Sequence, residues 1–299
     1  MLNLQRVAMF VAVVEAGGFT AAAQSMRQTK AVISFNVRQL ETELGVSLLV
    51  RSTRRVALTQ AGEVFYQRAL LLLKESDALV EEVQTHHGGY SGELRISTTP
   101  EYGQAKVIPA LSAFGKLHPK LTIRHDSSSA PINLISEQFD LAIRLGKLAD
   151  SSYRAALIER FEIVPVAAPE WLARNPISSL EALAEAEWVI HRRLPTPREW
   201  QVIGSDRETR DLTITGPSRF MTDTAAALMA FVVQGCGVGL LPEWLVREAI
   251  ERGELRHILP EYRFPSQGIY AVYPNTRHVP AKVRVLIDFL QEWESNKPA

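Results

Sequence analysis

The sequence has little cysteine and no long hydrophobic stretch. Its one cysteine, Cys236, excludes a disulfide within the chain and is typical of proteins from a reducing cytoplasm. Apolar runs such as residues 7–14 (VAMFVAVV) are far shorter than the roughly 20 residues that cross a bilayer. We therefore expect a cytoplasmic protein with no membrane partner.

An excess of either charge is also absent, because 33 Lys and Arg balance 33 Asp and Glu. The 299 residues are 46% hydrophobic and 22% charged, which excludes disordered and collagen-like classes and leaves room for two average domains. Residues 1–62 hold seven basic and three acidic residues, so residues 63–299 hold 26 basic and 30 acidic ones. A small basic segment joined to a larger, mildly acidic one indicates a nucleic-acid-binding module attached to a second unit.

Motifs of common enzyme classes are missing as well. The sequence contains no P-loop, no G-x-S-x-G turn and no H-E-x-x-H, and its seven histidines lack the spacing of metal ligands. The run GCGVG at 235–239 follows a predicted helix and precedes a strand, which is the wrong order for a phosphate-binding loop. We therefore expect no enzyme activity, no cofactor and no metal. An α/β enzyme is the weakest alternative, because no nucleophile and base can be named.

Three short helices and a hairpin are predicted in the basic segment. Apolar residues at helical spacing predict a helix over 4–16 that Gly17 ends, a short helix that Thr20 caps, and a third helix over 30–44 that Gly45 ends. Two short β-like runs then flank a basic turn at 51–55. This is the arrangement of a winged helix-turn-helix, whose later helix lies in the major groove of DNA.

Side chains on the third helix and the wing are suited to DNA contacts. Basic and hydroxyl groups reach phosphates or base edges, and a phenylalanine opposite the buried face suits a thymine methyl group. The candidates are Thr29, Lys30, Ser34, Phe35, Arg38, Arg51, Arg54 and Arg55. The alternative is a solvated basic surface on an ordinary three-helix unit.

A long helix over about 60–87 follows, and residues 88–92 form a glycine-rich hinge. Its apolar residues recur at alternating spacings of four and three, as in a coiled-coil seam. The seam consists of Phe65, Ala69, Leu72, Ser76, Leu79 and Val83. Because the helix lies between a small head and a hinge, we favour dimerisation through Phe65, Leu72, Leu79 and Val83 over packing on its own domain.

From residue 92 onward, strands and helices alternate. Strand-like runs include ELRIS at 93–97, LTIRH at 121–125 and GIYAVY at 268–273, with helices predicted between them. Alternation at these lengths predicts an α/β fold with a mostly parallel sheet and helices on both faces. Such sheets bind ligands at the carboxyl ends of their strands.

Several runs of the sequence are distinctive in their order and spacing. In the head they are FVAVVEAGGFTAAA at 10–23, VRQLETELGVSLL at 37–49 and LTQAG at 58–62. Farther along the chain they are ELRIS at 93–97, DLAIR at 140–144, GCGVGLLP at 235–242 and KVRVLIDFL at 282–290. In these runs, and so over nearly its whole length, the chain resembles LysR-type transcriptional regulators. The resemblance implies a winged helix-turn-helix at 1–62, a linker helix and hinge at 63–91, and an effector-binding domain at 92–299.

The resemblance also implies where DNA and the effector bind. It adds Ala31 to the DNA contacts, and this chain departs from the family by having Phe35 where arginine is common. The effector domain would resemble type 2 periplasmic solute-binding proteins, with one lobe at 92–163 and 267–299, a second at 164–266, and a small molecule between them. Hydroxyls and an arginine suit a small anion. By matching position, the effector-binding residues are Ser97, Thr98, Thr99, Ser127, Ser128, Arg144, Thr222 and Asp223.

The resemblance also implies that the protein is a homo-oligomer, either a dimer or a tetramer, which binds double-stranded operator DNA. A contact with RNA polymerase is compatible with the resemblance. Effector binding would shift the packing of effector domains and so reposition the heads. The alternative from another class is a periplasmic solute-binding protein whose first residues are a signal peptide. That alternative leaves the basic third helix and wing unexplained.

Overall fold

A computed structural model describes residues 2–51, 56–88, 90–146, 153–276 and 279–295. For Arg51, residues 81–88 and Ser295, it describes the backbone only. Among the described residues, no single helix is long and apolar enough to cross a membrane; α1 (Leu4–Glu15) and α2 (Phe19–Ser25) reach that length only as a pair bent by 118°.

The head consists of α1, α2, α3 (Lys30–Leu44) and a wing of two antiparallel strands, β1 (Leu49–Arg51) and β2 (Val56–Leu58). The predicted third helix is confirmed: Thr29 Oγ1 accepts from the N–H of Val32 at 3.3 Å, and Gly45 ends the helix with a left-handed φ of 69°. The expected cap at Thr20 is wrong, because α2 begins one residue earlier, at Phe19.

The head has its own hydrophobic core. Apolar residues of α1 and α3 at helical spacing are fully buried against one another: Val7, Phe10, Val13, Ile33, Val37 and Leu40. The beginning of α4 (Gln60–Gly88) closes this core, since Phe65 meets Phe10 edge to face at 5.5 Å between ring centroids and Ala69 is buried beside it. The first part of the predicted seam therefore packs on its own domain.

The first lobe is built on a five-stranded sheet with the strand order β4-β3-β5-β14-β6. Its elements are β3 (Gly92–Thr98), α5 (Pro100–Tyr102) with a π-helical turn (Gly103–Val107), α6 (Ile108–Leu117), β4 (Leu121–Ser127), β5 (Leu141–Leu145), β6 (Arg154–Phe161), β14 (Gln267–Tyr273) and α11 (Ala281–Ser295). Apolar residues of β3, β5, β14, α6 and α11 form one buried cluster.

The second lobe lies between β6 and β14 in the chain and contains two further hydrophobic clusters. Its elements are β7 (Ile163–Ala167), α7 (Pro169–Arg174), α8 (Leu180–Glu185), β8 (Val189–His191), β9 (Glu199–Ile203), β10 (Thr209–Thr213), β11 (Phe220–Thr222), α9 (Ala225–Val233), β12 (Gly239–Pro242), α10 (Glu243–Glu251) and β13 (Arg256–His257). Strand β7 pairs antiparallel with both β12 and β13, and β8 pairs parallel with β11.

The expectation of a mostly parallel sheet is confirmed for the first lobe except at one strand, because β4, β3, β5 and β6 run in the same direction and β14 runs against them. In the first lobe β3 is parallel to β4 and β5, but β14 is antiparallel to β5 and β6. The reason is the chain path: β6 leaves toward the second lobe and β14 returns from it, so the two run in opposite directions.

The glycines of the run GCGVG have a structural role in the second lobe. Gly235 follows α9 with a left-handed φ of 72°. A Cβ atom on Gly239 would come within 2.6 Å of the side chains of Leu228 and Val232. Glycine is therefore required where β12 packs closely on α9.

Candidate functional site

The outward face of α3 carries the predicted DNA contacts. Thr29, Lys30, Ala31 and Arg38 are exposed, and Ser34 is partly buried between them. The Nε–H of Arg38 donates to the carbonyl oxygen of Ser34 at 3.3 Å, which directs its guanidinium along the helix. The side chain of Arg51 and the whole of Arg54 and Arg55 lie outside the described residues.

Phe35 is the most unusual residue on this face, because 56% of its side chain is exposed to solvent. Val32, one turn earlier, is also exposed. An apolar pair beside basic groups is suited to the methyl groups of thymine in a major groove.

A cavity of about 410 Å³ lies between the two lobes. The first lobe contributes residues at the ends of β3 and β5 and in the loop after β4. The second lobe contributes residues of β8 and β12 and of the start of α9 and α10. Aromatic side chains form much of its wall, namely Tyr102, Phe161, Trp200 and Trp244. A mainly apolar cleft with few polar groups is typical of a site for a small organic ligand.

Arg144 is a partly buried arginine that lines this cavity. Its guanidinium donates to the carbonyl oxygens of Ile143 at 2.9 Å and Ser97 at 3.3 Å, and to Ser97 Oγ at 2.9 Å. Burial lowers the pKa of Arg144 to about 10, so the group stays charged at neutral pH. Among the described residues no carboxylate lies within ion-pair distance of Arg144, although the charge of Glu137 acts on it from farther away and raises its pKa.

Three polar atoms of residues that line the cavity are buried. In the described part of the chain, none of the three has a hydrogen-bond partner in another residue: Thr99 Oγ1, His191 Nδ1 and Trp244 Nε1. Burial lowers the pKa of His191, so its imidazole is neutral at pH 7 and can bond as a donor or an acceptor. Buried polar atoms are normally satisfied, so these three are exceptions in the wall of the cavity.

Two contacts join the lobes beside the cavity. The carboxylate of Glu101, from the first lobe, accepts from the N–H of Ala226 in the first turn of α9 at 2.8 Å. The rings of Tyr102 and Trp244 meet edge to face at 5.6 Å. A carboxylate at a helix N-terminus is stabilised by the helix dipole, so Glu101 holds the lobes together.

The predicted effector residues divide into two groups. Thr99, Arg144 and Asp223 line the cavity. Asp223 accepts from Arg193 at 2.9 Å and from Arg192 at 3.2 Å, and its bond with Arg193 lowers its pKa. Ser97, Thr98, Ser127, Ser128 and Thr222 do not line the cavity.

For Ser97 and Thr98 the prediction of direct contact does not fit the fold, because both side chains are buried within the sheet. Ser97 holds Arg144, and Thr98 Oγ1 bonds His125 Nε2 at 2.8 Å. Sequence reasoning also missed Glu101, His191 and the aromatic wall. Glu101 lies two residues after the predicted Thr99, whereas the second-lobe residues gave no sequence signal.

Metal binding has no support in the described residues, which contain no group of three or more His, Cys, Asp or Glu side chains placed to hold an ion. The lining of the cavity combines two arginines, Arg144 and Arg193, and two carboxylates with hydroxyl groups, a histidine and aromatic surface.

Comparisons with known proteins match both parts of the chain. Residues 4–63 match the family model of the bacterial regulatory helix-turn-helix protein, lysR family, and residues 87–295 match the LysR substrate binding domain. The regulator PtxR of Pseudomonas aeruginosa is 36% identical over 298 residues, which cover 99% of this chain and 95% of PtxR.

Solved structures agree with the full-length arrangement. The virulence activator AphB of Vibrio cholerae is 28% identical with a TM-score of 0.57, covering 97% of this chain and 98% of AphB. CrgA of Neisseria meningitidis, a LysR-type transcriptional regulator, is 29% identical with a TM-score of 0.59, covering 99% of this chain and 100% of CrgA. These relatives are transcriptional regulators, which overturns the alternative of a periplasmic solute-binding protein. The chain therefore belongs to the LysR family of DNA-binding transcriptional regulators with an effector-binding domain.

Proposed function

We propose that this regulator binds a small monocarboxylate with an apolar, ring-sized body in the cavity between its lobes. The observation that carries the proposal is Arg144, a partly buried arginine that lines an aromatic-walled cavity and has no carboxylate at ion-pair distance among the described residues. A buried cation favours an anionic partner, and Arg is suited to carboxylates because it can donate two parallel bonds. Thr99 and the lining Ser129 would supply further hydrogen bonds.

The proposal places the apolar body of the effector against the rings. Phe161 and Trp200 line the same cavity as Arg144 and Thr99. Contact with such rings adds to the free energy of burying apolar surface. Glu101 and Asp223 are both already bound, to Ala226 and to the two arginines, so their charges are compensated.

On the DNA side, we infer that α3 lies in the major groove. Lys30 and Arg38 would contact phosphates, Thr29, Ala31 and Ser34 would approach base edges, and Phe35 would contact a thymine methyl group. Arg51, Arg54 and Arg55 of the wing would contact the backbone or the adjacent minor groove.

The functional division follows from these roles. Residues 1–62 would bind DNA, residues 63–91 would join the heads and pair two copies of the chain, and residues 92–299 would bind the effector. The protein would act in the cytoplasm as a homo-oligomer, a dimer or tetramer, with no enzymatic activity, and RNA polymerase would be a partner at its promoters.

A fluorescence titration tests the effector proposal, because two of the five tryptophans, Trp200 and Trp244, line the cavity. Acetate, benzoate, phenylacetate and naphthoate are each titrated against the full-length protein. Each acid is compared with the alcohol that carries a hydroxyl group in place of the carboxylate on the same apolar group. We expect a ring-bearing carboxylate to bind at least about 10-fold more tightly than its alcohol, since a charge-assisted bond contributes about 1.5–3 kcal/mol.

Arg144→Met is the decisive variant, because it keeps the length of the side chain and removes the charge. It should abolish the preference for the carboxylate, whereas Arg193→Met, which removes the other lining arginine, already paired with Asp223, should keep it. Equal binding of acids and alcohols by the wild-type protein would contradict the proposal.

A further inference from the structure

One segment of the chain, residues 128–140, contacts both the cavity and the head. It leaves the sheet of the first lobe after β4 and returns to it at β5. Near its start, Ser129, Ala130 and Pro131 line the cavity. Near its end, Ile135 packs against the hydrophobic core of the head. The segment thus spans the distance from the ligand site to the DNA-binding domain.

The contacts with the head and its linker helix are specific. Lys74 of α4 donates through Nζ to the carbonyl oxygen of Phe139 at 2.9 Å and lies 3.4 Å from the carboxylate of Asp140. Gln138 donates through its side-chain amide to the carboxylate of Glu15, the last residue of α1. Burial lowers the pKa of Lys74, and a buried ammonium group is retained only where such partners compensate its desolvation.

The middle of the segment is a tightly bonded turn. Asn133 Oδ1 accepts from the N–H groups of Ile135 at 3.1 Å and Ser136 at 3.0 Å. Leu134 is almost fully buried, and its N–H donates to the hydroxyl of Tyr153 at 3.1 Å. Because hydrogen bonds and the buried Leu134 tie its residues together, we expect this turn to move as a unit.

We propose that the segment 128–140 transmits occupation of the cavity to the DNA-binding head. A ligand that contacts residues 129–131 displaces the turn, and the displacement changes the docking of Ile135, Gln138 and Asp140 on the head and on α4. This inference rests on the cavity being the effector site, as proposed above. Coupling between two sites is reciprocal, so loosening the head must change the affinity for the ligand by the same factor.

The reciprocity gives a direct test on the full-length protein with benzoate as the probe. Lys74→Met and Ile135→Ser weaken the docking at two points that do not line the cavity. Each should change the benzoate dissociation constant from tryptophan fluorescence by about 5-fold or more, the lower end of typical coupling. Lys116→Met, which removes an exposed lysine of the first lobe, should leave the benzoate dissociation constant unchanged.

Hydrogen exchange gives the second readout. Saturating benzoate should change the exchange of α1 amides in the wild-type protein, and the change should disappear in Lys74→Met. Ile135→Ser is included only if it melts cooperatively; Lys74→Met carries the test otherwise. If benzoate binds all variants equally and leaves α1 unchanged, the contact is static and the inference fails, although the effector proposal stands.

A ligand-free arm separates the two proposals. If wild-type protein binds no benzoate, Ala130→Phe places a ring at the cavity end of the segment instead. Altered exchange in α1 would then support transmission even with the effector class wrong. Unaltered exchange in this variant would overturn it.

Discussion

At the scale of the single residue, surroundings divide the arginines of this chain into two functional kinds. Arg38 is exposed on α3, and among the described residues its guanidinium bonds to one carbonyl oxygen of its own helix, so its charge is available to a phosphate. Arg144 is partly buried, is held by three hydrogen bonds from the sheet, and lines a cavity. The first suits a strongly hydrated, salt-sensitive contact, and the second suits a desolvated, selective one.

Arg38→Ala should weaken binding to every DNA sequence to a similar extent. The loss of one phosphate contact reduces the slope of log affinity against log salt by about 1, because one fewer counterion is released. Anisotropy titrations at several salt concentrations measure the slope. A change confined to one base position would show instead that Arg38 contacts a base.

Phe35→Ala should relax the preference at a single thymine and leave the salt slope unchanged. The ring carries no charge but presents more than half of its surface to solvent at the outward face of α3. Loss of a methyl contact is expected to cost about 1–3 kcal/mol of discrimination at that position. Binding to a library of operator variants measures this preference, and a uniform loss across all positions would contradict it.

At the scale of the element, α4 has two environments along its length. Phe65, Ala69 and Leu70 belong to the core of the head, whereas Leu79 and Val80 are exposed by 65% and 52%. Leu72 lies between, partly buried, and the side chain of Val83 lies outside the described residues. Exposed apolar residues on neighbouring positions of a helix favour a partner helix at the far end of α4.

Leu79→Asp should therefore dissociate the oligomer while the head remains folded. A buried, unpaired carboxylate in a helix pair is strongly unfavourable. Sedimentation velocity measures the assembly, and circular dichroism checks the fold. The matched control is Val50→Asp in the wing, which is exposed by 51% and should leave the assembly intact. An unchanged oligomer in Leu79→Asp would exclude this seam.

Elements whose bounds depend on local signals could be predicted from the sequence. The direction of a strand that depends on the path of the chain through another lobe could not. The bounds of α3 follow from Thr29, Gly45 and the apolar spacing between them, all of which act locally. The direction of β14 depends on where the chain comes back from the second lobe, which no local pattern contains. For the same reason Arg144 and Thr99 were predicted by matching position, whereas His191 and Trp200 were not.

At the scale of the whole molecule, the head, α4 and the two lobes form one connected body in the described parts of the chain. The head contacts the first lobe through Lys74, Gln138 and Ile135, and the lobes contact each other through Glu101 and Trp244. A ligand changes DNA binding only if it binds two arrangements of this body with different affinity. We propose that the two arrangements differ both at the cavity and in how the head docks on the first lobe.

Glu101→Gln should loosen the contact between the lobes while keeping the shape of this cavity-lining side chain. The amide keeps a hydrogen bond to the N–H of Ala226 but loses the favourable interaction of a carboxylate with the start of α9, worth about 0.3–1 kcal/mol. The carboxylate ligand should therefore dissociate from the cavity about 2- to 5-fold faster. Stopped-flow fluorescence measures the rate, and an unchanged rate would show that the lobes are held closed by other contacts.

The most direct test of a DNA-binding head controlled through the cavity is one gel-shift titration. DNA upstream of the protein's own gene is titrated at two salt concentrations, with and without the tightest carboxylate of the fluorescence panel, for the wild type and for Arg144→Met. We predict specific, salt-weakened binding by both proteins and a carboxylate-dependent shift in the wild type alone. An identical carboxylate response in both proteins, or none in the wild type, would contradict control through Arg144.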